Sequence, residues 1–266
     1  MTRLPTIQRA RVTRSALLGA LGALVTTTAL AACGTKDATA PLTSGPAGRV
    51  RFVNVITDAS RAVVNATLEG QIFGVNLAYL ATTPASLPAP ANALYSPVLE
   101  GSRNIVLRRT ADTTVTVATL PFTIATGEDR TVYATGGAAG SAITSFITLD
   151  DNQAPAAGQA RVRVVHLSPT AGAVDVFVTA AGANLATATP AVAAISPRTA
   201  STYLTLPAGT YQVRVVPAGT APAARAGAVA LNVASLVLPA GGARTVVAAD
   251  AATGGTPLRS LVLTDR

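Results

Sequence analysis

The clearest pattern of apolar and polar positions runs from Arg161 to Phe177. A β-branched run in Val162, Val164 and Val165 leads to a break at Ser168-Pro169, and Val174, Asp175, Val176, Phe177 and Val178 then alternate between two faces. Two strands joined by a tight corner are the expected elements. A weaker copy lies 112 residues upstream, where Arg49-Val50-Arg51 falls on Arg161-Val162-Arg163, Val53 on Val165, Val64 on Val176 and Gly70 on Gly182. One supersecondary pattern used twice is the simplest reading of that offset.

Around these anchors the strand signals fall into two sets. The first begins with Arg49 to Val55, which puts Val50, Phe52 and Asn54 on one face and Arg51, Val53 and Val55 on the other. Such a strand begins on one sheet and leans on a second. Val64, Ala66 and Leu68 alternate next, and a proline-bearing excursion fills Ala81 to Pro97. Strands resume at Asn104 to Arg108, Thr114 to Ala118, Phe122 to Ala125, Arg130 to Ala134 and Ile143 to Leu149, with Thr126 to Asp129 placed for a hairpin turn.

The second set runs through Ala160 to Leu167, Ala173 to Thr179, Ser201 to Leu206, Thr210 to Val216, Ala228 to Ala234, Leu236 to Leu238, Arg244 to Ala249 and Leu258 to Leu263. Both sets close alike: Gly127 to Ala134 corresponds to Gly241 to Ala248, and Ser145 to Asp150 to Ser260 to Asp265. About seven strands per set, at this turn spacing, predict an all-β chain of two tandem immunoglobulin-like antiparallel β-sandwich modules. The expected modules are residues 48–151 and 160–266, joined by a linker at 152–159.

The first 47 residues follow a different pattern. Arg3, Arg9, Arg11 and Arg14 precede an apolar segment from Ala16 to Ala31, and small residues follow, which is the layout of an export signal over residues 1–32. The end of this segment, Leu30-Ala31-Ala32-Cys33, resembles the bacterial lipobox. That resemblance implies cleavage before Cys33, a diacylglyceryl thioether on its sulfur and a further acyl group on its amine. Two or three acyl chains give a stable anchor where one holds only marginally. Residues 33–47 carry turn formers and little to bury, so they are expected to form a flexible tether. Gly34 follows the cysteine, and resemblance to the known sorting pattern implies the outer membrane.

Composition narrows the chemistry. The whole chain has a formal charge of +8, but four leader arginines account for half of it, and the remaining basic residues are dispersed among acids. No run of the kind that tracks a phosphate backbone is present, so nucleic acid is not an expected partner. Cys33 is the only cysteine, so an acylated chain has no disulfide, no thiolate metal site and no cysteine nucleophile.

The line from Ala160 to Pro169, followed by Val174 to Phe177, Tyr203 to Val215 and Arg244 to Ala248, resembles the bacterial domain of unknown function 4397. That resemblance implies an exported β-sandwich with no assigned activity. Module two matches it throughout. Module one keeps the opening Arg49-Val50-Arg51 and the closing strands but has Asn54 where module two has His166 and Arg103 where module two has Tyr211.

Few residues suggest chemistry. His166 is the only histidine, no carboxylate has an interpretable spacing to it, and no nucleophile signature is present, so it is expected to close its strand at the Ser168-Pro169 corner. Asp175, flanked by valines, is expected to point outward. His166 and Asp175 together are the possible surface contacts. Asp150-Asp151-Asn152 lacks the spacing of a calcium loop and fits a solvated linker. Tyr211 sits where sandwich domains place a tyrosine whose hydroxyl bonds backbone near a turn.

The expected function is a lipid-anchored, non-enzymatic cell-envelope protein of binding, adhesion or structural type. No catalytic residue, cofactor or metal is expected, and the partners are a membrane, through the lipid on Cys33, and an envelope or extracellular protein or glycan. The alternative is an envelope receptor for a small ligand, glycan or metal ion. A hydrolase would need paired carboxylates or a triad, and the acids are scattered.

Overall fold

The computed structural model describes residues 45–84 and 94–266, which belong to one compact unit; the leader, Cys33 and most of the tether lie outside the described residues. Module one contains β1 (Ala47–Ile56), β2 (Val64–Leu68), β3 (Gln71–Leu77), β4 (Thr82–Thr83), β5 (Ser96–Leu99), β6 (Gly101–Arg109), β7 (Thr116–Ile124), β8 (Asp129–Gly136) and β9 (Ile143–Leu149). Module two contains β10 (Gln159–His166), β11 (Val174–Thr179), β12 (Val192–Ile195), β13 (Thr199–Ala200), β14 (Leu204–Pro207), β15 (Gly209–Pro217), β16 (Leu231–Leu238), β17 (Ala243–Ala249) and β18 (Arg259–Thr264). Among the described residues no helix is long and apolar enough to cross a membrane.

Each module is a sandwich of two sheets, and the two modules share one plan. In module one β3-β2-β6-β7 form one sheet, while β4 and β5 flank β1 in the other, followed by β8 and β9. In module two the corresponding sheets are β12-β11-β15-β16 and β13/β14-β10-β17-β18. The all-antiparallel expectation fails at one pair per module, because β1 runs parallel to β8 and β10 parallel to β17. The cause is the segment at Thr126 to Asp129. It forms no hairpin but carries the chain from β7 in one sheet to β8 in the other, so that β8 returns alongside β1 in the same direction. Gly48 lets the sheets close there, since a Cβ on it would sit 2.6 Å from the Ala125 carbonyl oxygen.

Three elements escape the periodicity argument, one of them the two-residue β13 paired with the end of β10. β3 carries Gly74 and Asn76, the latter at φ 52°, and its register slips against β2. β12 is short, alanine-rich and contains Ala194 at φ 47°. Conversely, β7 and β16 each merge two predicted strands, because Pro121 and Ser235 are accommodated on strands at sheet edges. The excursion at Ala81 to Pro97 contributes β4 and β5, and residues 85–93 lie outside the described ones.

The cores follow the alternation. Val50 and Phe52 of β1 pack with Val64, Leu68, Ile105, Leu107, Leu120 and Val132 inside module one. Val162 and Val164 of β10 do the same with Val174, Val176, Val213, Val215 and Val246 inside module two. The opposite faces of these strands are also buried, by each other's module: Val53, Val55 and Tyr133 pack against Val165, Leu167, Val247, Ala249 and Leu263. The second sheet on which β1 leans is therefore the β10 sheet of module two. Each large aliphatic side chain in this seam contributes about 1.5–3 kcal/mol as an upper estimate. Several together rival the whole stability of an ordinary domain, about 5–15 kcal/mol, so the modules form one body.

Candidate functional site: the inter-module cluster and the paired loop end

The seam between the modules carries charge as well as aliphatic surface. Arg51 and Arg163 sit at equivalent positions of β1 and β10 and point into the seam, where each is almost fully buried. Their own modules hold them first: Arg51 donates Nε–H and Nη2–H to Thr131 Oγ1 at 3.1 and 2.9 Å, and Arg163 donates Nε–H to Thr245 Oγ1 at 2.8 Å. Each guanidinium then crosses to the other module. Arg51 donates to the Thr264 carbonyl at 2.7 Å and to Asp265 Oδ1 at 2.7 Å, while Arg163 donates to the Leu149 carbonyl at 3.0 Å and to Asp150 Oδ1. The exchange is reciprocal.

The carboxylates are saturated in turn. Asp150 also accepts from the hydroxyls of Tyr95, at 2.8 Å, of Thr148, at 2.7 Å, and of Thr131. Asp265 accepts from Thr245 at 2.6 Å and Tyr203 at 3.0 Å. The two tyrosine rings cap the cations: Arg51 lies 4.7 Å from the Tyr95 centroid and Arg163 4.8 Å from that of Tyr203. Burial opposes the charge on both arginines. The neighbouring tyrosine hydroxyls and carboxylates outweigh it, and both guanidinium pKa values stand above the ordinary value. With its donors and acceptors committed, this cluster joins two sheets.

At the other end of the same strands the modules meet again. Arg198 donates to Thr135 Oγ1 at 2.6 Å and to the Ser145 carbonyl at 2.9 Å, and the Tyr79 hydroxyl donates to the Asp250 carbonyl. A Cβ on Gly254 would lie 3.6 Å from the Ala138 methyl. Strand starts thus meet strand starts and strand ends meet strand ends, so β1 and β10 run side by side in the same direction. The chain enters β1, passes from β9 to β10 and leaves β18 at one end; the loops after β1, β8, β10 and β17 gather at the opposite end.

That loop end is fastened from within. In module one, Asp58 accepts from the Ser60 amide and hydroxyl and from Arg61 Nε, at 2.7–2.8 Å, and these bonds hold its carboxyl down at about 2. Arg61 continues to the Gly137 and Ser141 carbonyls. In module two, Asp250 accepts from the Ser168 hydroxyl and, at 2.6 Å, from the Thr170 hydroxyl.

The residues singled out from sequence take structural places. His166 is completely buried: its Nε2 donates to the Gly172 carbonyl at 2.7 Å and its Nδ1 accepts from the Ser168 amide at 3.4 Å, which places the ring proton on Nε2. Asp175 is only 8% exposed, because the chain around β12 folds over it and the Ala194 amide donates to it at 2.8 Å. Neither residue offers a surface contact, which corrects that expectation. Tyr211 donates its hydroxyl to the Pro207 carbonyl at 2.8 Å. Asp150 is no solvated linker residue but the hub of the seam, and only Asp151, paired with Arg161 at 2.6 Å, keeps the exposed role.

An open cleft of about 550 Å³ beside the linker is lined by Glu128, Asp129, Asp151, Asn152 and Arg266. Its acids are already paired: Asp129 with Arg49, Glu128 with Arg130 and Asp151 with Arg161. Among the described residues no group of three or more His, Cys, Asp or Glu side chains is placed to hold a metal ion. The cluster and the loop fastening were missed by sequence reasoning. The signal for the cluster was Arg51 and Arg163, one charge at the same position of two strands, each on the face it shares with apolar Val53 and Val165.

No curated protein matches the chain. Among solved structures, it is similar to a leucine-rich repeat protein from Bacteroides thetaiotaomicron at 15% identity and a TM-score of 0.19, over 80% of this chain and 26% of that one. The chain thus spans about a quarter of that protein's length, and a likeness this slight carries no argument. The family model described as Domain of unknown function (DUF4397) matches residues 48–177 and 180–266, and with most of its length covered in two tandem matches the chain belongs to that family.

Proposed function

We propose that this chain is a lipid-anchored protein of the bacterial cell envelope, at the outer membrane, that works by binding and not by catalysis. It holds a two-module β body on a tether and offers the paired loop end to an envelope or extracellular protein or glycan. The observation that carries this reading is the Leu30-Ala31-Ala32-Cys33 sequence at the end of an apolar leader, followed by a tether that enters β1 at the end opposite the loops. Loops of both modules at one end support two-point engagement of a partner, in which the second contact forms at high effective concentration. A non-catalytic role is supported by the use made of His166, Asp150, Asp250 and Asp265, all of which are spent on internal hydrogen bonds.

The test is mass spectrometry of the mature N-terminus, paired with fractionation of a Cys33→Ser variant. A diacylglyceryl adduct on Cys33, with the variant shifted out of the membrane fraction, is the expected result. A free Cys33 thiol in the membrane-bound protein would remove the anchor.

A further inference from the structure

The seam between the modules has the form of an interface between two identical subunits. Arg51 reaches Asp265 and the Thr264 carbonyl, while Arg163 reaches Asp150 and the Leu149 carbonyl, so each contact is answered by its counterpart across an approximate two-fold axis. Tyr95 and Tyr203 cap the two arginines in the same way. The apolar part of the seam breaks this symmetry. Tyr133, fully buried and packed with Val165, Val247 and Leu263, stands where module two has Val247. It senses all four charged groups of the two ion pairs, which puts it near the axis. Two copies of module one paired through this face would bring two tyrosine rings to one place, and two copies of module two would leave only valines there. The seam therefore fits unlike modules.

Only the linker requires those unlike modules to come from one chain. Every sheet is built from strands of a single module, and among the described residues no backbone-to-backbone hydrogen bond joins the two modules. Module two can part from module one with all four sheets intact, and the side-chain contacts it leaves can be remade on the first module of another copy. Residues 150–158 join β9 to β10 and span about 30 Å when extended. We propose that the seam is exchangeable and that its further partner is a second copy of this chain: two copies trade module two, and each resulting body holds module one of one chain and module two of the other. The linker sets the balance. It presents the chain's own module two at an effective concentration on the order of millimolar, so the closed single chain prevails in dilute solution and the exchanged pair rises as the chain approaches that concentration. An exchanged pair displays two loop ends in place of one.

The experiment uses the compact unit from Lys36 onward, unfolded in urea and refolded by dilution. Refolding at about 1 mM is expected to give a species of twice the chain mass, by gel filtration with light scattering, in a share comparable with the single chain; refolding at about 1 μM should give less than about one per cent of it. Two variants then identify the contact. Arg51→Asp leaves three acids with one arginine in its own seam, and Asp265→Arg leaves three arginines with one acid, so each closes poorly on itself. An exchanged pair of the two variants restores two of each charge in both bodies, and one body then carries the unaltered set of four. Refolded together at about 10 μM, where the unaltered chain stays single, the variants are expected to form a pair with one chain of each, identified by mass. Its urea midpoint should exceed that of either variant alone. A mixture that behaves as its two components do apart, or that pairs like variants as often as unlike ones, would overturn the proposal. So would an unaltered chain that stays single when refolded at about 1 mM, an arm that needs neither variant to fold.

Discussion

Arg51 of module one lies 2.7 Å from Asp265 of module two, and the equivalent pair, Arg163 and Asp150, runs the opposite way across the same seam. A buried pair of this kind costs little while it is whole, because each ion meets its counter-ion and several hydroxyls. Removing Asp265 leaves Arg51 only the more distant Asp150, 3.5 Å away and already paired with Arg163, and strands the Thr245 and Tyr203 hydroxyls, so a loss of about 3–5 kcal/mol is expected. Asp265→Ala should lower stability by that amount in urea unfolding. The double replacement Arg51→Met with Asp265→Leu should recover most of the loss; a double variant no more stable than Asp265→Ala would place the cost elsewhere.

The linker should be dispensable for holding the modules together. A protease site built into Ala154 to Ala157, cut after folding, is expected to leave a single species of full size in gel filtration, because the seam buries Val53, Val55, Val165 and Leu167 around the ion cluster. Two half-sized species after the cut would show that the seam depends on the covalent link.

Asn54 is a folding device whose loss should be measurable. Its Nδ2 donates to the carbonyls of Ala62, Leu77 and Ala78 at 2.7, 2.9 and 3.1 Å, and its Oδ1 accepts the Ile56 amide. Asn54→Leu strands these buried groups at about 1–3 kcal/mol for each left without water or another donor. A drop of about 3 kcal/mol in unfolding free energy is expected, and a change below about 1 kcal/mol would contradict it.

Alkaline pH should unfold the protein through its tyrosines. Burial raises the hydroxyl pKa of Tyr79, Tyr95, Tyr133 and Tyr203 above the ordinary value of 10. The folded chain then keeps protons that the unfolded chain releases, so stability is intact below pH 10 and falls as pH rises beyond it. In a spectrophotometric titration, the tyrosinate signal of these four residues should appear only with loss of the β-sheet circular dichroism signal. Tyr133→Phe should move that transition to higher pH.

How much of this was legible in the sequence depends on the residue. The alternation around Val50 and Val162 located the sandwich strands, and the repeated Arg49-Val50-Arg51 and Arg161-Val162-Arg163 located the tandem. The second apolar face of β1 also showed that something must cover it. Periodicity says that a face is buried and not by what, so the pairing of the two modules stayed hidden. Asp150 illustrates the same limit: beside Asp151 and Asn152 it has the local composition of a loop, and only the fold brings Arg51, Arg163 and Tyr95 to it. Asp175 is expected at the surface from its strand alone, which cannot reveal the segment around β12 that folds over it, whereas His166 closes its strand at the Ser168 corner as its sequence position suggests.

The shared direction of β1 and β10 has a practical corollary. A peptide grafted between Ala251 and Pro257 would ride at the end of the body opposite the start of β1, whereas the same graft between Asp151 and Ala157 would sit at the end where the chain enters β1. One pair of antibody-tagged variants would then work as a ruler for how the molecule stands.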